Sequence, residues 1–73
     1  MYLVLSPFFY YIAHQNAIED FVVVESQGEH PHLIEYRKLK PIIERYIEMN
    51  SDGVDANCKE RYVMYICDQL LTN

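Results

Sequence analysis

Hydrophobic residues form unbroken runs in the first half of the chain and recur every three or four positions in the second half. Residues 8–13 are four aromatics followed by Ile and Ala, and residues 21–24 are Phe-Val-Val-Val. Short runs of aromatic and β-branched residues favour strands. A spacing of three to four residues indicates amphipathic helices. The pattern therefore predicts strands first and helices afterwards.

Two strands are predicted at the start of the chain. The first covers Tyr2–Leu5 and is stopped by Ser6-Pro7. The second covers Phe8–Ala13, with a turn at His14–Asn16. A helix is the alternative for Phe8–Ala13, because Ser6 can cap a helix and Pro7 suits its first position. The aromatic side chains would then point in nearly all directions around the helix axis, and so the strand is preferred.

A β-hairpin is predicted next. Phe21–Val24 is the strongest strand signal, because consecutive valines lose side-chain freedom in a helix. Ser26–Pro31 contains the one glycine of the first half and forms the predicted turn. His32–Lys38 is predicted to return as a strand opposite the valines.

An amphipathic helix is predicted from Pro41, which suits a first turn because that position needs no amide donor. Asn50–Gly53 provides the helix exit, since Gly tolerates the left-handed conformation that ends helices. Charged residues lie on one side of the helical wheel. The predicted apolar side consists of Ile42, Ile43, Tyr46, Ile47 and Met49.

A second helix is predicted to begin near Asp55, whose side chain can cap the first turn. Cys58 is expected to be exposed. The predicted buried face consists of Ala56, Val63, Ile66, Cys67, Leu70 and Leu71. The expected fold is a single α+β domain over residues 1–73, with a small antiparallel sheet from the N-terminal half packed against two antiparallel C-terminal helices.

The net charge of −5 is unevenly distributed. Residues 1–36 contain five acids and no Lys or Arg, whereas residues 37–73 contain six acids and six bases. An acidic half is a poor surface for phosphate backbones and suits a basic protein surface; alternatively, the acids only keep an apolar half soluble. Arg37, Lys38 and Lys40 are too few to follow a phosphate backbone, so direct DNA binding is not expected.

The cysteines and the uncharged opening bear on the cellular compartment. Cys58 and Cys67 are nine residues apart, which places them on opposite faces of one helix and prevents a disulfide between them. A reduced, cytoplasmic protein is expected. The opening lacks a basic start and is too short to cross a bilayer, so neither a signal peptide nor a membrane segment is expected.

Candidate chemistry is sparse. The stretch Glu29–His32 contains ligand-type residues, and His14 with a cysteine could add to it, but it lacks the two closely spaced ligand pairs of zinc sites. We interpret it as a polar loop and expect no metal or cofactor. Cys58 or Cys67 with His14 and Glu29 would be a nominal catalytic set, which only spatial geometry can define. We expect a non-enzymatic protein.

The aromatic residues of the opening exceed what one face of a small sheet needs. They are either core, which small domains fill with aromatics, or an interface to a partner or a second copy. The candidate anchors are Phe8, Phe9, Tyr10 and Tyr11. Glu19, Asp20 and Glu25 are candidate acids that steer the chain toward a basic partner.

The length, the acidic balance and the opening Met1-Tyr-Leu-Val-Leu-Ser-Pro-Phe-Phe-Tyr-Tyr11 resemble the small RNA polymerase-binding transcription regulators of Xanthomonas-infecting phages. The resemblance implies a non-enzymatic protein of the infected cell's cytoplasm that engages the N-terminal region of the polymerase β′ subunit and the β flap. It implies inhibition of initiation by interference with σ, and antitermination by a change at the RNA exit region.

No binding residue follows from this resemblance, because no motif can be matched position by position. A monomer is expected. The alternatives are another small acidic protein-binding inhibitor, a self-associating module or a metal-binding domain.

Overall fold

Three α-helices and two short 3-10 turns make up the computed structural model, which describes residues 6–50 and 54–72 but not the side chain of His32. The helices, numbered in chain order, are α1 (Pro7–Glu25), α2 (Tyr36–Met49) and α3 (Lys59–Thr72), and the 3-10 turns are Pro31–Leu33 and Ala56–Cys58. These residues contain no strand, so the predicted α+β fold is wrong. The predicted strand Tyr2–Leu5 lies outside the described residues.

The helical alternative for Phe8–Ala13 is the correct one. Ser6 has an extended backbone and its Oγ accepts a hydrogen bond from the Phe9 amide at 3.2 Å, while Pro7 occupies the first turn. The predicted turn at His14–Asn16 is also wrong, because these residues continue α1. The buried side chains of α1 are Tyr10, Tyr11, Ile18 and Val22. Core contacts along this stripe favour the helix over the strand.

The valine run lies in the last two turns of α1, so the predicted strand Phe21–Val24 is wrong. Val22 is fully buried, whereas Val24 is 73% exposed. A β-branched residue lowers helix stability by roughly half a kcal/mol relative to Ala. Burying a Val side chain contributes about 1.5–3 kcal/mol. The burial of Val22 therefore outweighs the low helix propensity of the run.

The glycine turn exists, but it ends a helix rather than joining two strands. Gln27 takes the left-handed conformation with φ 63°, and Gly28 follows with φ 102°. The Gly28 amide donates to the Val23 carbonyl at 2.7 Å and the Gln27 amide donates to Val24 at 3.2 Å. These are the two hydrogen bonds of a Schellman motif.

α2 begins at Tyr36, before the predicted start at Pro41, and the predicted strand His32–Lys38 is wrong. The Glu35 carbonyl accepts hydrogen bonds from the Lys38 and Leu39 amides, both at 2.9 Å. Leu39 is fully buried. The early start brings this side chain into the core.

Pro41 therefore lies inside α2 instead of in its first turn. Since Pro has no amide hydrogen, the Arg37 carbonyl loses its usual donor four residues on. The predicted apolar side is correct in its centre: Ile43, Tyr46 and Ile47 are buried and Ile42 is half-buried, but Met49 is 66% exposed.

The cap predicted for the second helix is confirmed at Asp55, although the first turn is 3-10 and α3 itself begins at Lys59. Ala56 is exposed, contrary to the prediction. Cys58 is half-buried against the core rather than exposed. The buried residues of α3 are Tyr62, Val63, Ile66, Cys67 and Leu70. The prediction that Cys67 lies in the core is confirmed.

The helices run up, down and up around a shared core. Lys59 at the start of α3 pairs with Glu48 near the end of α2 at 2.6 Å, so these two helices are antiparallel, as predicted. Tyr10 near the start of α1 contacts Asn50 just after α2, so α1 is also antiparallel to α2. α1 and α3 therefore point the same way. None of the described helices is long and apolar enough to cross a membrane.

Candidate partner-binding surface

Three apolar side chains are exposed together on the first turns of α1. Phe8, Phe9 and Ile12 are 50%, 62% and 51% exposed. Ile12 follows the two phenylalanines by four and three residues, which makes all three neighbours on the helix surface. The two phenyl rings pack edge to face with their centroids 5.5 Å apart. We call these three side chains the α1 patch.

The backbone beneath the α1 patch is held by the cap and by the core. Ser6 caps the Phe9 amide, and the Ser6 carbonyl accepts from the Tyr10 amide at 2.9 Å. Tyr10 is fully buried and its hydroxyl donates to the Asn50 carbonyl at 2.6 Å. The Tyr10 ring also packs edge-on against Tyr62 of α3, with centroids 5.4 Å apart. An ordered backbone lowers the entropy cost of binding.

The four predicted aromatic anchors separate into two exposed and two buried side chains. Phe8 and Phe9 belong to the α1 patch. Tyr10 is fully buried, and Tyr11 is 5% exposed with its ring edge-on to a tyrosine of α3. A buried ring cannot reach a partner while the core stays closed. The strand interpretation missed Ile12, whereas the helical spacing identifies it.

The three predicted steering acids differ in exposure and pairing. Asp20 is exposed and lies eleven residues after Phe9, which places it on the same face of α1 about 16 Å further along the axis. Glu19 is half-buried beside it. Glu25 accepts from Arg45 Nη1 at 2.6 Å, and this pairing offsets its charge. Asp20 and Glu19 are therefore the acids of α1 that remain available to a partner.

The outer face of α1 carries small or neutral side chains between the α1 patch and Asp20. Ala13, Asn16 and Ala17 are exposed there. The whole of α1 contains no Lys or Arg. The face therefore changes along the helix from apolar to neutral to acidic at Asp20, and it becomes apolar again at Val24, which is 73% exposed.

His14, the nominal catalytic base, takes part in core contacts. Its Nδ1 lies 3.0 Å from the Tyr46 hydroxyl, and its ring stacks on Tyr10 with centroids 4.4 Å apart. Burial raises the pKa of Tyr46. Among the described side chains, which do not include that of His32, no three His, Cys, Asp or Glu residues lie close enough together to hold a metal ion.

The Cys67 thiol is in an environment that keeps it protonated. It is fully buried, and this desolvation, together with the nearby charge of Glu44, raises its pKa from 9.0 to about 12. Because the thiolate is the reactive form of cysteine, Cys67 is not an activated nucleophile. The two cysteines are free, as expected.

A second surface feature is a groove of about 430 Å³ between the end of α1 and the start of α2. Glu25 lines one side and Arg37 and Lys38 line the other, above Ile34 and Ile42. Arg37 pairs with the neighbouring Glu35 at 2.7 Å. The groove therefore combines both signs of charge with an apolar floor, and its charge selects no class of ligand.

Comparisons with known proteins give no match. No protein-family model, curated protein or solved structure matches this chain. Support for a function therefore comes from the residues of the chain itself.

Proposed function

We propose that this chain is a non-enzymatic transcription regulator that binds the RNA polymerase of a bacterial host through the outer face of α1. The observation that carries the proposal is the α1 patch, an exposed apolar cluster on an ordered helix. The resemblance of the chain to phage regulators, in its length, its acidic balance and its opening, suggests the polymerase as partner, with the β′ N-terminal region and the β flap as the surfaces engaged. The expected effects are inhibited initiation and antitermination.

Two physical properties of α1 support a protein partner. Exposed aromatic side chains next to one another are typical of interface centres, where a few residues supply most of the binding energy. The acids along the same face raise the rate of encounter with a basic surface. Screening by salt weakens that attraction, because the Debye length falls from about 10 Å at 0.1 M to about 3 Å at 1 M ionic strength.

The binding test is a pull-down with the immobilised protein from a Xanthomonas lysate at low and at high salt, followed by mass spectrometry. We expect RNA polymerase subunits to be retained, with lower recovery at high salt. Absence of polymerase subunits at both salt concentrations would remove the proposal.

The functional test is transcription in vitro with purified host polymerase, on one template with a host promoter and another with an intrinsic terminator. We expect fewer initiated transcripts and more readthrough. Replacing Phe8 and Phe9 by Ala is expected to abolish both effects. The matched control replaces two exposed apolar residues outside α1, Leu33 and Met64, which are 74% and 56% exposed. Equal losses in the two variants would contradict a role for α1.

A further inference from the structure

The α1 patch is too small to form a stable interface alone. Each of its three side chains exposes about half of its surface. A full aromatic side chain has a surface of roughly 150–250 Å², so the exposed surface of the three side chains together is about 300 Å². A stable complex buries about 800 Å² on each partner. The binding surface therefore extends beyond the α1 patch.

The outer face of α1 provides a continuous extension toward Asp20. The stretch from Phe8 to Asp20 is about 18 Å long. The exposed side chains between the patch and Asp20 are small or neutral, namely Ala13, Asn16 and Ala17. Small side chains let a partner approach the helix closely. A partner that covers the patch and this stretch then reaches the Asp20 carboxylate.

The charge of this face disfavours a second copy of the chain as the occupant. α1 has no Lys or Arg, so two α1 faces packed together would supply no cation to either Asp20. A carboxylate that loses water without gaining a partner costs binding energy. A foreign surface with a suitably placed Lys or Arg avoids this cost.

We infer that the partner surface is an apolar cleft for the α1 patch with a Lys or Arg about 12–16 Å from the cleft, where it meets Asp20. The distance is the rise along α1 from Ile12 or Phe9 to Asp20. The expected binding mode is a helix that lies in an apolar groove of the partner. This inference rests on the proposed function and specifies the chemistry of the polymerase surface that α1 contacts.

The test measures association and dissociation rates on immobilised host polymerase at low and high salt. Replacing Phe8 and Phe9 by Ala is expected to weaken affinity by roughly thirtyfold or more, mainly through faster dissociation. Asp20→Lys is expected to slow association by about tenfold at low salt and much less at high salt. Asp68→Lys is the matched control, because it changes the net charge equally at an exposed position of α3.

The outcomes separate the inference from the proposed function. If the wild-type chain does not bind polymerase, the proposed function fails and the inference fails with it. If the wild type binds and the Phe8/Phe9 variant loses affinity while Asp20→Lys behaves like Asp68→Lys, the inference is wrong while the proposed function stands. If the Phe8/Phe9 variant also behaves like Asp68→Lys, the outer face of α1 is not the binding surface and both fail. A concentration-dependent dimer in ultracentrifugation that the Phe8/Phe9 variant abolishes would also overturn it, since a second copy would then cover the face. Thermal melts show that each variant is folded.

Discussion

The Tyr10 hydroxyl lies 2.6 Å from the Asn50 carbonyl oxygen and donates a hydrogen bond to it across forty residues of sequence. Carbonyl groups at the end of a helix lack donors within the helix, and Asn50 directly follows α2. The phenol supplies one such donor. The contact ties the end of α2 to the turn of α1 that carries the α1 patch.

Tyr10→Phe is expected to lower the free energy of unfolding by about 1–3 kcal/mol, because it removes the donor and leaves the carbonyl without it. Urea denaturation measures the change. Tyr36→Phe is the control, since Tyr36 is 44% exposed and its substitution should change stability by less than about 0.5 kcal/mol. Equal stability of the two variants would show that the Tyr10 hydrogen bond contributes nothing measurable.

Alanine substitutions at Val22 and Val24 test the helix, because they should change the stability in opposite directions. Val22→Ala is expected to destabilise by about 1–3 kcal/mol, because it removes two fully buried methyl groups. Val24→Ala is expected to stabilise by a few tenths of a kcal/mol, because Val24 is exposed and Ala favours helices. Denaturation curves of both variants test this. Destabilisation by Val24→Ala as large as that by Val22→Ala would contradict the placement of this run in α1.

The valine run and the aromatic run show why the first half was predicted wrongly. Both favour strands by their composition, but that preference is small beside the burial of a large side chain. The side chains of residues 8–13 point in nearly all directions around the helix axis, which was the reason for preferring a strand there. Tyr10 and Tyr11 face the core while Phe8, Phe9 and Ile12 face outward. Composition alone could not indicate that both sides are used.

Gln27 and Gly28 offer a matched pair of backbone substitutions. Gln27 has φ 63°, a conformation that costs a non-glycine residue about 1–2 kcal/mol. Gln27→Gly is expected to stabilise by about 0.5–1 kcal/mol, since the greater freedom of Gly in the unfolded chain offsets part of the gain. Gly28→Ala is expected to destabilise by about 1 kcal/mol, because Gly28 has φ 102°. The cost is conformational only, since no atom lies within 4 Å of the added Cβ. Thermal denaturation should give shifts of opposite sign; shifts of the same sign would contradict the Schellman geometry.

Cys67 makes stability depend on alkaline pH. Burial raises the pKa of Cys67 from the ordinary value of 9.0 to about 12 in the folded protein. The contribution of the neutral thiol to the free energy of unfolding is therefore complete below pH 9 and is lost as pH rises toward 12. The expected slope is at most about 1.4 kcal/mol per pH unit. Urea denaturation between pH 8 and 9.5 tests this, because most tyrosine hydroxyls, with an ordinary pKa of about 10, are still protonated in that range. Cys67→Ala should flatten the dependence, whereas Cys58→Ala retains the buried thiol and should not.

Thiol labelling gives a second measure of the same environment. Cys58 is half-buried and Cys67 is buried, so a thiol reagent should label Cys58 first in the folded protein. Cys67 should react only when the chain opens. Equal labelling rates under native conditions would contradict the burial of Cys67.

The second half was predictable because one side of each helix is polar. The core positions Ile43, Tyr46 and Ile66 follow from the helical spacing alone, whereas the start of α2 does not. Pro41 suggested that the helix begins there. The burial of Leu39 instead stabilises helical structure in the residues before Pro41. The acids of α1 were visible in the sequence, and the pairing of Glu25 with Arg45 was not, because it depends on how two helices pack.

The common direction of α1 and α3 decides where the protein can be attached to a surface or to a reporter. The α1 patch lies at the start of α1, so a tag should be kept away from that end of the bundle. The end of α3 lies at the opposite end of the bundle, about 21 Å away by the length of α3. A tag placed after Thr72 leaves the outer face of α1 open to a large complex.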